Sequence, residues 1–303
     1  MAGALALALL TTACGDTAPV ATATTGSPAE AAPFPREVLG TTIPSPPQRI
    51  LSASATHSEI LYALGAGDRI VAVDLFSDYP AAAAEKEQID AFNLNVEAVA
   101  AFDPDLVILS FDPGDAVAGL EALGIPTLLF PTAPATLEDA YAEWAAVGAA
   151  VGADPEAAEL ISTAEAEIEE MLARIPTGGT PPTYYHELGE DLYSITSDTF
   201  IGSIYALAGL QNVADPADDA GFGYPQLSAE YLLTADPDFI FLADTVCCGQ
   251  SVATLAARPG WETLTAVATG RVVELDDSLA SRWGPRITEF LELVVSSVYA
   301  PAG

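Results

Sequence analysis

The sequence predicts an α/β fold of two lobes, each built on a mainly parallel central sheet, with one long rigid helix between them. Three observations predict it. From Arg49 onward, short β-branched runs alternate with amphipathic segments. A segment of the first half, "VEAVAAFDPDLVIL" (96–109), also returns in the second as "AEYLLTADPDFIFL" (229–242), so that Glu97, Asp103, Pro104, Asp105 and Leu109 recur 133 residues later as Glu230, Asp236, Pro237, Asp238 and Leu242. Each copy reads as a short helix, a Pro-marked turn and a buried strand, and two copies imply two lobes of one design. Between them lies a long helical region.

The chain opens with "MAGALALALLTTACGD", whose apolar run Ala4 to Leu10 is too short to span a bilayer but has the length of a secretory core. Thr12 and Ala13, both small, precede Cys14, a pattern that resembles the lipobox of bacterial lipoproteins. The resemblance implies a lipoprotein signal peptide over 1–14 and lipidation of Cys14. Residues 15–47, rich in Thr, Ala, Pro and Ser without hydrophobic period, are expected to form a flexible tether. The protein is thus expected to be extracytoplasmic, lipid-anchored to the outer face of the cytoplasmic membrane.

The N-terminal lobe is expected over 48–135, with strands at "RILSAS", "RIVAVD", "DLVILS" and "PTLLF" and helices at "HSEILYALGAG" and "VEAVAAFD". "GAGDRI" lacks the third Gly of a dinucleotide fingerprint and follows a helix, so it is read as a helix stop. The interlobe helical region is expected over 136–176. There Leu160, Ile161, Ala164, Ile168, Met171, Leu172 and Ile175 repeat at helical spacing, while glutamates fill the remaining surface. At about 1.5 Å per residue this helix spans about 30 Å, enough to brace both lobes. The C-terminal lobe is expected over 177–303, with strands at "TYYHEL", "LYSIT", "DFIFLAD" and "RVVELD".

Nine Lys and Arg against 43 Asp and Glu give a formal charge of −34, which repels phosphate backbones and argues against nucleic-acid binding. No phosphate-binding loop, nucleophile elbow or His-Glu-x-x-His pair occurs. Only His57 and His186 offer imidazoles, too few for a bare transition-metal site, so neither metal nor cofactor is expected. Both histidines lie at or just after strand segments, where open α/β sheets place ligand contacts. Aromatic side chains in loops, Phe76, Tyr79, Phe92, Phe111, Tyr224 and Trp283, are candidate pocket walls for a large flat or greasy ligand. Arg282 and Arg286 flank Trp283. Arg286 is expected to form a structural salt bridge, and Arg282 either a salt bridge or an anion contact.

These residues resemble a known family, the substrate-binding proteins of ABC importers for ferric siderophores, haem and cobalamin, whose two lobes are joined by one rigid helix. The likeness runs from about Arg49 to Val298 and rests on "RILSASATHSEILYALGAGDRIVAVD", "SDYP", "NLNVEAVAAFDPDLVI", "YPQLSAEYLLTADPDFI" and "SRWGPR". It implies that Glu97 and Glu230, one per lobe, dock onto the arginines of a membrane permease dimer. It also implies that Phe76, Phe92 and Tyr224 sandwich the ligand and that Arg282 contacts it. The expected function is capture of a metal chelate, cobalamin, ferric siderophore or haem, by a monomer without catalysis. Few cations are present to hold an anionic siderophore, which favours cobalamin or another nearly neutral chelate.

Cys247 and Cys248 stand side by side in a chain with one other cysteine. At the 133-residue offset they fall on Gly114 and Asp115, in a loop beyond a strand's C-terminal end, where a ligand contact is expected. The preferred reading is a disulfide between them, with Gly249 easing the backbone and an oxidising exterior favouring the bond; two free thiols or simple packing are the alternatives. A competing class is an extracytoplasmic thiol-dependent enzyme or metal-handling protein centred on this pair, although adjacent cysteines do not fit Cys-x-x-Cys chemistry.

Overall fold

The computed structural model describes Met1 and residues 32–299. The expected signal peptide, Cys14 within it, and the first part of the expected tether lie outside the described residues. The tether ends sooner than the sequence suggests. β1 (Arg36–Val38) and β2 (Thr41–Ile43) pair antiparallel through a two-residue turn, with Leu39 and Gly40 both at positive φ, 51° and 82°. Val38 and Ile43 are buried, and Arg36 is buried as well, donating to the Ala149 carbonyl at 2.6 Å and pairing with Asp154 at 2.7 Å. Three-residue strands leave almost no period to read, which is why composition alone suggested a tether.

The first lobe contains β3 (Ile50–Ala53), α1 (Ala55–Ala63), β4 (Ile70–Asp74), α2 (Ala81–Ala84), β5 (Glu87–Ile89), α3 (Val96–Ala100), β6 (Leu106–Leu109), α4 (Ala116–Ala122) and β7 (Thr127–Leu129). Its five strands are all parallel, in the order β5-β4-β3-β6-β7. β3 and β6 are buried along their whole length, which explains their continuous apolar runs. Gly65, just past α1 at φ 71°, ends that helix as "GAGDRI" implied.

Two helices follow, α5 (Leu137–Val151) and α6 (Asp154–Leu172). α5 opens on a reciprocal capping box between Thr136 and Asp139. The pair packs closely at Gly148, where a Cβ would lie 2.6 Å from that of Ala157. On α6, Ala157, Ala164, Ile168 and Met171 are buried and Leu160, Ile161 and Leu172 are partly so, the expected face.

The second lobe comprises β8 (Thr183–Glu187), α7 (Phe200–Leu207), β9 (Gln211–Asn212), α8 (Ala229–Ala235), β10 (Phe239–Leu242), α9 (Thr245–Cys248), α10 (Val252–Ala256), α11 (Thr265–Ala268), β11 (Val272–Glu274) and α12 (Ile287–Tyr299). Its sheet is parallel in the order β11-β10-β8-β9. The strand expected at "LYSIT" does not form. Leu192 sits at φ 65° and Tyr193 makes only an isolated bridge to Gln226. β5 and β9, short and polar, were not anticipated.

The internal repeat has a physical cause. α3 and α8 begin on capped residues, Asn95 and Ser228, whose side chains accept from the amides of Ala98 and Tyr231. Asp103 and Asp236 both adopt positive φ, 48° and 44°. Asp105 then accepts from the amides of Gln48 and Arg49 at the entrance to β3, and Asp238 from the amide and hydroxyl of Thr183 at the start of β8. Each DPD turn thus pins the first strand of its lobe to the repeat strand beside it. One apolar core runs from Ile50 and Leu106 of the first lobe through Trp144 and Ile168 to Tyr184, Phe241 and Phe290 of the second.

Candidate functional site

A cleft of about 540 Å³ opens between the lobes, beyond the carboxyl ends of β3, β4 and β6 on one side and β10 and β11 on the other. That is where open parallel sheets place ligands. A larger depression of about 730 Å³, walled by Pro182, Asp238 and Arg271, lies at the opposite, amino ends of the second sheet's strands.

The first-lobe wall is aromatic. Phe76 follows β4, Phe92 follows β5 and Phe111 follows β6, so three strands of one sheet deliver three rings to one place. Phe92 meets Phe76 edge-on at 6.1 Å between ring centres and lies 5.1 Å from Phe111. Phe76 and Phe92 remain 59% and 63% exposed, a large apolar surface held toward solvent. Val246, Cys247, Asp277, Ser278 and Trp283 form the facing wall, and Ser54 to Thr56, at the start of α1, lie between the two. Cys247 and Cys248 are joined by a disulfide.

Sequence reasoning missed the polar groups of this cleft. Asp74 ends β4 and is buried, accepting from the Phe76 amide at 2.7 Å and the Ser77 hydroxyl at 2.8 Å. Burial raises its pKa above the ordinary carboxylate value, although these hydrogen bonds and Arg282 oppose the rise. Asp78 and Asp277 add two further carboxylates. The available signal was position, since "VDLFSD" and "ELDDS" each follow a strand.

Arg282 is the one cation lining the cleft among the described residues, and its guanidinium is already engaged. It donates to Glu59 at 2.8 Å, Asp78 at 2.7 Å, the Phe76 carbonyl at 2.6 Å and Ser278 at 3.0 Å. Of the two expectations for Arg282, a salt bridge or an anion contact, the structure shows the salt bridge, to Glu59 and Asp78. Arg286 forms the expected salt bridge, bidentate to Glu59 at 2.6 and 3.0 Å, and stands 4.0 Å over the Tyr79 ring. Tyr79 thus serves a cation–π contact and does not line the cleft.

The two histidines are not brought to the cleft either. His57 is fully buried, stacked on Phe130 at 4.4 Å with Nδ1 2.8 Å from the Ser54 hydroxyl. Beneath the cleft, Glu143 accepts from the Trp283 indole at 2.7 Å and lies 3.5 Å from His57 Nε2. His186 is buried on β8 beside the Tyr205 hydroxyl at 2.9 Å, and burial pushes its pKa down to about 3, so it stays neutral. Tyr224 is 54% exposed in the second lobe but is not part of the cleft wall. Cys248 is exposed beside Cys247 without lining the cleft itself.

Behind the Cys247 loop, Asp244 is fully buried with neither carboxylate oxygen hydrogen-bonded. Burial, and then the neighbouring Glu187, lift its pKa to about 7, while Arg258 works against them. Arg258 is committed to Glu187 by two 2.6 Å hydrogen bonds. No group of three or more His, Cys, Asp or Glu able to hold a metal ion exists among the described residues. Glu97 and Glu230 are exposed in the first turns of α3 and α8, each two residues past its cap.

Residues 50–279 match the family model described as periplasmic binding protein. The chain is 29% identical over 266 residues to the uncharacterised ABC transporter substrate-binding lipoprotein YvrC of Bacillus subtilis, covering 85% of this chain and 82% of that protein. Its structure is similar to the apo form of the periplasmic haem-binding protein RhuT from Roseiflexus sp. RS-1, with a TM-score of 0.73, 27% identity, and coverage of 83% of this chain and 98% of that one. It is also similar to the periplasmic vitamin B12-binding protein BtuF of Vibrio cholerae, with a TM-score of 0.67, 26% identity, and coverage of 83% and 96%.

Proposed function

Because the chain belongs to the periplasmic binding protein family, as a non-enzymatic ABC-importer substrate-binding protein of the B12, haem and siderophore class, we propose that it captures a nearly neutral metal chelate, cobalamin before haem or a ferric siderophore. The observation that carries this reading is the cleft's chemistry. Three phenylalanine rings supply a broad apolar face, while the lining carboxylates Asp74, Asp78 and Asp277 stand against one guanidinium already tied to Glu59 and Asp78. A polyanionic ferric siderophore, or a haem with two propionates, would enter a site with no free cation to receive it. A flat macrocycle with a neutral amide periphery stacks on the rings and offers N–H donors to the carboxylates. The similarity to a vitamin B12-binding protein supports the same choice.

Capture is proposed to involve little lobe movement, because α6 and the shared core couple the two sheets. Delivery goes to a two-fold permease dimer, which Glu97 and Glu230 engage as symmetry-related carboxylates. The Bacillus relative named a lipoprotein supports an anchor at Cys14 on the outer face of the cytoplasmic membrane.

Calorimetry against cyanocobalamin, haemin and a ferric tricatecholate tests the reading. Cyanocobalamin is expected to bind at least tenfold more tightly than either anionic chelate, and tighter binding of an anionic chelate would refute the proposed preference.

A further inference from the structure

Val246 is 72% exposed, and Cys247 and Cys248 beside it are exposed as well. A short loop that shows a valine and a disulfide to solvent invites the question of what it touches. Val246 and Cys247 face the first lobe's phenylalanines across the cleft, and among the residues that line it Trp283 is the one aromatic ring on their side. We propose that the Cys247–Cys248 disulfide, through Cys247 in the cleft wall, is part of the second lobe's contact surface for the captured chelate, and that opening it by reduction weakens capture. The proposal rests on the reading of the cleft as the capture site.

Joining sulfurs of adjacent residues closes an eight-membered ring that includes the peptide between them. The ring hides no S–H donor, fixes both side chains, and presents a compact, polarisable, apolar ridge. Such a ridge suits the face of a flat ligand whose other face lies on the rings of Phe76, Phe92 and Phe111.

The backbone beneath the ring is held independently. The amides of Val246 and Cys247 donate to the Asp277 carboxylate at 3.0 and 2.6 Å, and the Thr245 hydroxyl donates to the Leu275 carbonyl. Gly249 at φ 70° ends the turn. The next residue after Asp277, Ser278, donates across the cleft to Asp78 at 2.6 Å, which also binds Arg282. The disulfide loop is therefore linked through one short segment to the rim that carries Phe76.

Reduction by a dithiol reagent breaks the S–S bond, transfers two electrons and two protons to the pair, and leaves the reagent as its own cyclic disulfide. The two cysteines then regain side-chain rotation and become thiols that water solvates. Binding must freeze them again, which raises the dissociation constant. In an oxidising exterior the closed, capture-competent form is the resting state.

The test measures cyanocobalamin binding by calorimetry to three proteins: the oxidised wild type, the wild type reduced with dithiothreitol and freed of reagent under argon, and the C247S/C248S variant. The expected result is a dissociation constant raised about tenfold for the last two relative to the first. Reoxidation should restore the wild type, and the reductant should leave the variant unmoved, a pattern that general destabilisation does not produce. Binding that is the same in all three overturns this proposal alone. Two alkylatable thiols in the unreduced protein, by mass spectrometry, overturn it too. If cyanocobalamin, haemin and ferric desferrioxamine all fail to bind the oxidised wild type, the capture reading falls and this proposal falls with it.

Discussion

Glu59 and Arg282 lie 223 residues apart in the chain and meet in a buried 2.8 Å hydrogen bond between α1 of the first lobe and the segment that leads into α12. Arg286 completes the clamp on the same carboxylate. This carboxylate holds Arg282 in the cleft wall, and Gly284 keeps the approach open, since a Cβ there would stand 3.2 Å from Glu59 Oε2.

Replacing Glu59 with alanine leaves two guanidiniums in a buried place without their shared partner. A loss of about 3–5 kcal/mol in unfolding free energy is expected, measured by urea titration. Because Arg282 also holds the Phe76 carbonyl, cyanocobalamin affinity should fall as well, and unchanged stability would show that the clamp contributes nothing.

Asp244 makes stability depend on pH with a definite sign. Its folded pKa, about 7, stands above the ordinary 3.8, so the folded protein holds this proton more tightly than the unfolded chain does. Stability is therefore lost as pH rises from about 4 through about 7. His186 acts in the opposite sense, because its folded pKa of about 3 makes stability fall as pH drops below about 6.5. The D244N variant isolates the first effect. Its melting temperature should exceed that of the wild type at pH 8 and converge with it by pH 5; a constant difference across that range would exclude the linkage.

Phe92 is exposed, and its ring meets those of Phe76 and Phe111 in the cleft wall. F92A should weaken cyanocobalamin binding by about 1–2 kcal/mol, roughly five- to thirtyfold, with little change in melting temperature. Y224A, outside the cleft wall, should leave affinity near that of the wild type. Calorimetry of both variants separates the ring that lines the cleft from the one that does not.

The double variant E97A/E230A alters two exposed first-turn residues, so ligand affinity and melting temperature should be unchanged. Uptake of labelled cyanocobalamin by cells carrying the cognate permease should be lost. Normal uptake would remove these glutamates from the docking step.

Much of this molecule is legible in one dimension because its causes are local or periodic. Buried parallel strands such as β3, β6 and β10 must be apolar on both faces, so they appear as continuous runs. The repeat is legible because both lobes solve one local problem, pinning a first strand with an aspartate after a left-handed turn. The phenylalanines at 76, 92 and 111 could be found because each follows a strand's C-terminal end, the place where parallel sheets converge on a ligand.

Other readings failed for equally physical reasons. The hairpin at 36–43 and strands β5 and β9 are too short for a period, and "LYSIT" has strand composition but lies where Leu192 turns to positive φ. His57, His186 and Arg282 carry the right chemistry for a ligand, yet the two histidines are buried away from the cleft and Arg282 is engaged by Glu59 and Asp78.

The sequence by itself determined the two-lobe α/β plan, the bracing helix and the aromatic wall, because periodicity, turn chemistry and strand order are written into neighbouring residues. Only the tertiary structure decided what charge the cleft offers. Whether Arg282 is free or bound depends on Glu59 and Asp78 reaching it across more than 200 residues of chain, and a buried ion pair is a property of distances in space that no local pattern encodes.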